Sequence, residues 1–439
     1  MTPLAMGILG FAVLMGLMVI RIPIGVAMLA VGMVGFMLVA GPLPLLNMLK
    51  TQMFYQFLNY DLSIIPLFML MGQFAAKAGL SQALFGAANT WIGHRRGGIA
   101  MAAIGGCAGF GAIAGSSLAT AATMGQVALP ELRRHNYAPS LATGALAAGG
   151  TLGILIPPSI VLIIAAIIVE ANVETLFQAA FIPGLIAVAG YMIAIAVVVR
   201  FDPEAGPAGE RAGRAEKWRA LADIWPVILI FLLVIGGIYF GFFTPTQGAS
   251  VGAIGTGIVA FTRGGMRLEG FIDSVIGAAG SSALIFLILF GANVLNVFLG
   301  FTRLPTVTAE VIGASGLSPM LVLLSIIVVF IVLGMFMDSL SMILLFMPIF
   351  WPIMLQLDFG MDADDLRIWF SILTLMVVEM GLITPPIGLN VFVINQMAGD
   401  VPMKETFRGV IPFLMSDVAR VGLLIAFPPI TLILPKLLS

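Results

Sequence analysis

Apolar residues occupy this chain in long blocks separated by short polar stretches, near 2–20, 24–42, 61–78, 139–171, 177–199, 223–243, 245–262, 272–300, 367–397 and 412–437. Blocks of this kind are long enough to cross about 30 Å of hydrocarbon as helices. The polar stretches between them differ in sign. Basic residues collect at His94, Arg95 and Arg96, at Arg133, Arg134 and His135, in the stretch 200–222 (Arg200, Arg211, Arg214, Lys217, Arg219), and at Arg263 and Arg267. Residues 358–365 hold Asp358, Asp362, Asp364 and Asp365 and nothing basic. By the positive-inside rule the basic stretches are cytoplasmic and the acidic one is external. Both termini are then predicted outside, with the linker 200–222 inside and dividing the chain into halves.

This sidedness has a sharp consequence for residues 98–130, which have basic clusters at both ends. Both ends belong in the cytoplasm, so the segment must turn back within the membrane. As helix it measures at most about 50 Å, or about 25 Å per arm before the turn is subtracted. The spacing predicts a re-entrant hairpin with its tip in Gly109–Ser117. Residues 320–355 repeat the pattern from the other side, between a polar stretch around 302–319 and the acidic loop, with a tip near Gly334–Ser341. Two similar hairpins of opposite orientation predict an inverted-topology repeat. The alternative is a pair of ordinary tight hairpins that span fully.

Composition agrees. Of 439 residues 60% are hydrophobic and 9% charged, and the mean hydropathy is +1.13, against roughly a quarter charged in soluble domains. The chain is an all-α polytopic membrane protein on these grounds. A formal net charge of −1 offers no basic face for nucleic acid. The single cysteine, Cys107, excludes a disulfide framework and a thiolate cluster. The two histidines, His94 and His135, lie beside arginines in polar stretches, which leaves little for a buried imidazole site. No Gly-rich nucleotide loop ending in Lys-Ser or Lys-Thr occurs. The N-terminus lacks a basic n-region, so residues 2–20 read as a retained span.

Each hairpin is followed by a long apolar helix with a double proline in its middle: GILIPPS at 153–159 and GLITPPIG at 381–388. Proline has no N–H, so Pro157 and Pro158 remove the helical partners of the Gly153 and Ile154 carbonyls, and Pro385 and Pro386 those of Gly381 and Leu382. Unpaired carbonyls at membrane depth cost several kcal/mol each unless they line a cavity or bind something. A dehydrated alkali cation is a natural partner. The tips supply the complementary groups, with Ser116 and Ser117 at one and Asp338, Ser339 and Ser341 at the other, each at a helix start. Tip against break gives two cation cages related by pseudo-symmetry, with room for an anion between them. Asp338 and Glu379 are the mid-membrane carboxylates and thus functional candidates; for Glu379 a structural hydrogen bond to nearby backbone is the competing reading.

The stretches GGTLGILIPPSIVLII (149–164), EANVETLFQAAFIPG (170–184), GIYFGFFTPTQGASVGA (237–253) and GLITPPIGLNVFV (381–393) resemble the large membrane subunit of tripartite ATP-independent periplasmic (TRAP) transporters, over about residues 20–430. The resemblance implies an elevator with a scaffold and a mobile transport domain of two inverted repeats. It implies sodium-driven import of carboxylates across the bacterial inner membrane, whose periplasmic side is then the one on which the charge pattern places both termini. It also implies delivery by a periplasmic binding protein, and a small four-helix membrane subunit, here expected on a separate chain. No organic cofactor is implied, only sodium as coupling ion. Carried over by position, the first sodium cage falls on Ser116, Ser117, Gly153, Ile156 and Pro157, and the second on Asp338, Gly381, Thr384 and Ile387. Substrate contacts fall on Ser117, Ser159, Ser339 and Asn390. Two positions depart from many relatives: Ala114 stands where they have Ser, and Gln247 where they have Glu.

The layout expected is scaffold and first arm helix in 1–97, and the first transport repeat in 98–199, with hairpin 98–132 and broken helix 139–171. The cytoplasmic linker 200–222 follows, then scaffold and second arm helix in 223–318. The second transport repeat takes 319–439, with hairpin 320–355 and broken helix 367–397. Two rival functions compete with the importer. One is a stand-alone sodium- or proton-coupled anion transporter of similar fold. The other is an intramembrane hydrolase using Asp338 with Glu379 or a buried serine, disfavoured by the position of both histidines and by the lack of a Glu379 counterpart in the first half.

Overall fold

Peptide groups facing lipid must be hydrogen-bonded within their own segment, which in an open fold leaves only the helix. The computed structural model describes residues 2–20, 22–314 and 316–438, and no strand occurs among them. Met1, Arg21, Ser315 and Ser439, which fall inside the predicted units, lie outside the described residues. The first half runs α1 (Pro3–Val19), α2 (Ile24–Ala40), α3 (Pro42–Leu58), α4 (Ile64–Lys77), α5 (Leu80–Ile92), α6 (Gly98–Ala114), α7 (Ser117–Arg134), α8 (Pro139–Leu155), α9 (Ile160–Val169) and α10 (Val173–Phe201). The second half begins with α11 (Arg214–Asp223) and α12 (Trp225–Phe231), which passes through a π-helical stretch into α13 (Gly237–Tyr239). It continues with α14 (Pro245–Thr262), α15 (Leu268–Phe301), α16 (Leu304–Ala314), α17 (Pro319–Gly334), α18 (Ser339–Met354), α19 (Ala363–Gly381), α20 (Leu389–Ala398), α21 (Met403–Ala426) and α22 (Pro429–Leu438).

Three helices fall outside the apolar blocks of the sequence. Polar residues interrupt them, as Lys50, Gln52 and Gln56 do in α3, Gln82 and Asn89 in α5, and Thr306 and Glu310 in α16. The polar linker likewise contains α11. At the start of α14, Gln247 closes a capping box: its side chain accepts from the Thr244 N–H at 3.0 Å while its own N–H donates to Thr244 Oγ1 at 3.3 Å. An amide performs this as well as a carboxylate would.

The hairpins are α6–α7, turning at Gly115–Ser116, and α17–α18, turning at residues 335–338. Their arms are 16 to 18 residues long, about 25 Å each and short of the hydrocarbon thickness. Gly115 ends α6 at φ +61, in the left-handed region where a Cβ is costly. The hairpins enter from opposite ends. At the base of the first, Arg133 donates to the Ala398 carbonyl at the end of α20 and pairs with Asp400. By the base of the second, Arg367 lies over the Trp351 ring at 5.8 Å and donates at 3.0 Å to the carbonyl of Glu170, just past α9. Each guanidinium thus caps the C-terminus of the other repeat's half-helix, where the free carbonyls and the helix dipole favour a cation.

The helices that break are the innermost ones. Every residue of α8 from Leu141 to Leu155 is buried, and every residue of α19 from Ile368 to Gly381. Outside them α2 packs along α15, and α4 packs against α14 and α15. The α2–α15 crossing is close: a Cβ on Gly32 would stand 2.7 Å from the Leu295 nitrogen, the small-residue contact typical of membrane helices. A buried polar network ties α8, α10 and α21. Arg420 Nη2 lies 2.8 Å from Asp417 Oδ1, the Tyr191 hydroxyl donates to Asp417 Oδ2 at 2.9 Å, and Thr151 Oγ1 is 3.0 Å from the Tyr191 oxygen.

Candidate functional site

The site is built where the two tips meet the two breaks. At the first break α8 ends at Leu155, Ile156 turns to extended backbone (φ −99, ψ 121), and α9 leaves at 47° to α8. The Ser159 hydroxyl accepts from the Leu162 N–H at 3.4 Å and so starts α9 as its cap. At the second break α19 ends at Gly381 and α20 begins at Leu389. Both breaks contain a cis Pro-Pro bond, 157–158 and 385–386.

Each tip rests on the break of its own repeat. A Cβ on Gly115 would meet the Pro158 carbonyl at 3.4 Å, and the Gly388 N–H donates to the Met335 carbonyl at 3.3 Å. One turn back, glycine faces glycine in both repeats. A Cβ on Gly111 would stand 2.5 Å from the Gly153 Cα, and a Cβ on Gly381 2.6 Å from the Gly334 Cα. In the second repeat both helices must lack a side chain for this approach; in the first Gly111 must lack one, and a Cβ on Gly153 would instead meet Thr120 and Ser116 of α7.

The freed carbonyls behave differently in the two halves. Among the described residues no hydrogen bond reaches the carbonyls of Gly153 or Ile154. In the second half the expectation needs correction: the Gly381 carbonyl accepts from the Thr384 N–H at 3.0 Å, and the Leu382 carbonyl from the Asn390 N–H at 3.1 Å. Seven residues separate α19 from α20, against four at the first break, and the longer turn folds back far enough to re-pair them. The Thr384 hydroxyl donates to the Met380 carbonyl at 2.7 Å, which leaves its oxygen lone pairs open. The Ile387 side chain is 39% exposed.

Between the tips lies a chamber of about 130 Å³. Ser116, Ser117, Asp338 and Ser339 line it, with Ile154, Ile160, Val161 and Leu382 from the breaks. Met69 of α4 and Ile285 of α15 also line it. Ser159 and Asn390, expected among the substrate contacts, do not reach this wall; both are fully buried, and Asn390 Nδ2 donates to the Ala147 carbonyl at 3.3 Å. Asp338 caps α18, accepting from the Ser341 N–H at 3.2 Å and from the Ser341 hydroxyl. Glu379 is fully buried behind the chamber, and its partners are side chains rather than backbone: the hydroxyls of Ser117 and Ser339 both donate to its carboxylate.

One group escaped the sequence reading. The Thr120 hydroxyl is buried without a hydrogen-bond partner, at the spot where a Cβ on Gly153 would fall (2.4 Å from Oγ1). It stands one helical turn after Ser116, so the i, i+4 spacing on α7 would have found it. The Asn390 Oδ1 is likewise buried and unpartnered.

Two opposed re-entrant hairpins, two broken helices and a mid-membrane chamber define a secondary transporter, the inverted-repeat class with its site at half-helix ends. The model of the DctM component of tripartite ATP-independent periplasmic transporters matches residues 11–430. The chain therefore belongs to this family, the large permease subunit of TRAP transporters, and is not an enzyme. It is 36% identical to the C4-dicarboxylate TRAP transporter large permease protein DctM of Pseudomonas aeruginosa, over 87% of each chain. It is 28% identical to the sialic acid TRAP transporter large permease protein SiaM of Vibrio cholerae, over 96% of this chain and 97% of that one. The fold is similar to the crystal structure of the Alcanivorax borkumensis YdaH transporter, at TM-score 0.61 and 14% identity, covering 87% and 88% of the two chains. The membership carries an expectation of a small permease subunit and a periplasmic binding protein as partners.

Proposed function

We propose that this chain imports a small organic carboxylate across the inner membrane, coupled to sodium, by an elevator movement of the two repeats against the scaffold. Its binding protein delivers the substrate on the periplasmic side, where both termini lie, and a separate four-helix chain joins the scaffold. The observation that carries the reading is the make-up of the chamber. Its lining contains one charged residue, Asp338, and no basic one. An anion entering such a site needs cations to offset the acidic wall, because an unpaired charge at this depth is costly. The first break provides two unpaired carbonyls, and neutral oxygens of this kind bind a cation without titrating near neutral pH. The elevator is supported by the split wall, since Met69 and Ile285 offer the tips an apolar surface to slide along. Two of the relatives are named for C4-dicarboxylates and sialic acid, both of which carry a carboxylate.

The test is uptake into proteoliposomes holding the chain, its small subunit and its binding protein. A sodium gradient drives accumulation, and a proton gradient in choline buffer does not. Proton-driven uptake in the absence of sodium contradicts the coupling, and uptake without the binding protein favours a stand-alone transporter.

Sidedness has its own measurement. Arg95→Cys and Arg134→Cys are expected to react with an impermeant maleimide from the cytoplasm, and Asp362→Cys from outside. The native Cys107 is buried and gives a quiet background. Labelling of 95 and 134 from opposite sides would overturn the first re-entrant hairpin.

A further inference from the structure

Glu379 lies in the last turn of α19, two residues before Gly381. The matching position before Gly153 is Thr151, engaged with Tyr191, so the molecule has one carboxylate here where symmetry would give two. That one carboxylate serves both repeats. Oε2 accepts from the hydroxyl of Ser117 on the first tip, and Oε1 accepts from that of Ser339 on the second, at 2.5 Å. All three residues are buried, and no ion pair is formed by Glu379 among the described residues. The other buried charges, Arg420 and Asp417, are paired with each other.

A serine hydroxyl has one hydrogen and two lone pairs. Ser117 and Ser339 both line the chamber, and both commit their hydrogen to Glu379 behind it. What they turn toward the chamber is therefore oxygen lone pairs. The geometry points to Glu379 as a positioning residue: by taking the hydrogens of Ser117 and Ser339 together, it makes both tips present acceptors to a cation and withholds their hydrogens from the substrate carboxylate. This rests on the sodium-coupled reading and sharpens it. On this account Ser117 and Ser339 face the coupling ion, and the substrate's negative charge meets the ion and the backbone N–H groups at the starts of α7 and α18, which favour anions.

Glutamine at 379 separates this from a merely structural role, because it keeps the shape and reverses one donor. Its amide N–H₂ donates to one serine, whose own hydrogen must then turn into the chamber. In proteoliposomes with both partners, Glu379→Gln is expected to raise the half-saturating sodium concentration of uptake about ten-fold, the size of one lost oxygen contact. Maximal uptake at saturating sodium and the melting temperature in sodium-free choline buffer stay near those of the parent. In the Ser117→Ala/Ser339→Ala background the same substitution is expected to add no further shift. A Glu379→Gln protein with the parent's sodium dependence overturns the proposal, and so does an equal shift in the background lacking both hydroxyls. Should the glutamine variant fail to reach the membrane, Glu379→Asp gives the reading: one carbon shorter, it keeps the charge but cannot span both serines. A raised sodium requirement then supports the role, and an unchanged one overturns it. A parent protein with sodium-independent uptake defeats the coupled reading and this role with it; a sodium-dependent parent with an unmoved variant defeats this role alone.

Discussion

Gly153→Val is expected to abolish uptake, by at least about 100-fold, while the chain still reaches the membrane. The first carbon of any side chain at 153 would stand 2.4 Å from Thr120 Oγ1 and 2.8 Å from the Ser116 carbonyl, both on the side of α7. None of these is the free end of a flexible side chain, so α7 must move away from the break. Overpacking of this kind costs about 1–3 kcal/mol, which an inserted helical bundle survives. The tip does not: a displacement of about 1 Å at a site that positions its ligand carries roughly a 100-fold penalty. Gly280→Ala is the matched control, since nothing lies within 4 Å of a Cβ there, and its uptake should stay within about two-fold of the parent, alanine being the better helix former. Uptake per unit of membrane-inserted protein decides the matter. A Gly153→Val protein retaining a substantial fraction of parental uptake would show that the glycine pair is only a packing convenience.

Arg420→Leu is expected to be the most destabilising single change outside the breaks. It strands Asp417, which is 1% exposed, with only the Tyr191 hydroxyl for a partner. Leaving a buried charge without its counter-ion costs about 3–5 kcal/mol, whereas replacing both partners by neutral groups is often close to harmless. Melting of the detergent-purified protein should fall by roughly 5–10 °C, and the Asp417→Asn/Arg420→Leu double variant should recover most of the loss. Equal melting temperatures for the single and double variants would show that the stranded charge is not what destabilises the protein.

The hairpins and breaks were legible because their causes are local. A double proline removes two N–H groups wherever it stands, and paired basic clusters around 98–130 leave one topology open. What those causes do not fix is how the rest of the chain answers them. Whether the Gly381 carbonyl stays free depends on the length of the turn that follows it, and the Thr384 N–H closes it. The partners of Glu379 lie 262 and 40 residues away in the chain, so no window of sequence contains them. Asp417 and Arg420 sit at i, i+3 inside a span counted by its apolar content, and the hydropathy of the span hid them. Helices α3, α5 and α16 were missed for the opposite reason: their polar residues broke the apolar run, although the backbone there is as regular as elsewhere.

The exchange of guanidinium caps between the repeats bears on how the protein is made. The end of α9 is held by Arg367 and the end of α20 by Arg133, so neither repeat contains the group that finishes it. A ribosome delivers the end of α9 197 residues before Arg367 is synthesised. During that interval the nascent chain carries an uncapped half-helix and a tip with nothing opposite it. The two repeats thus close on each other in one late step, when the second enters the bilayer and both clasps engage, and the newborn first half must be sheltered by lipid or by the insertion machinery until then.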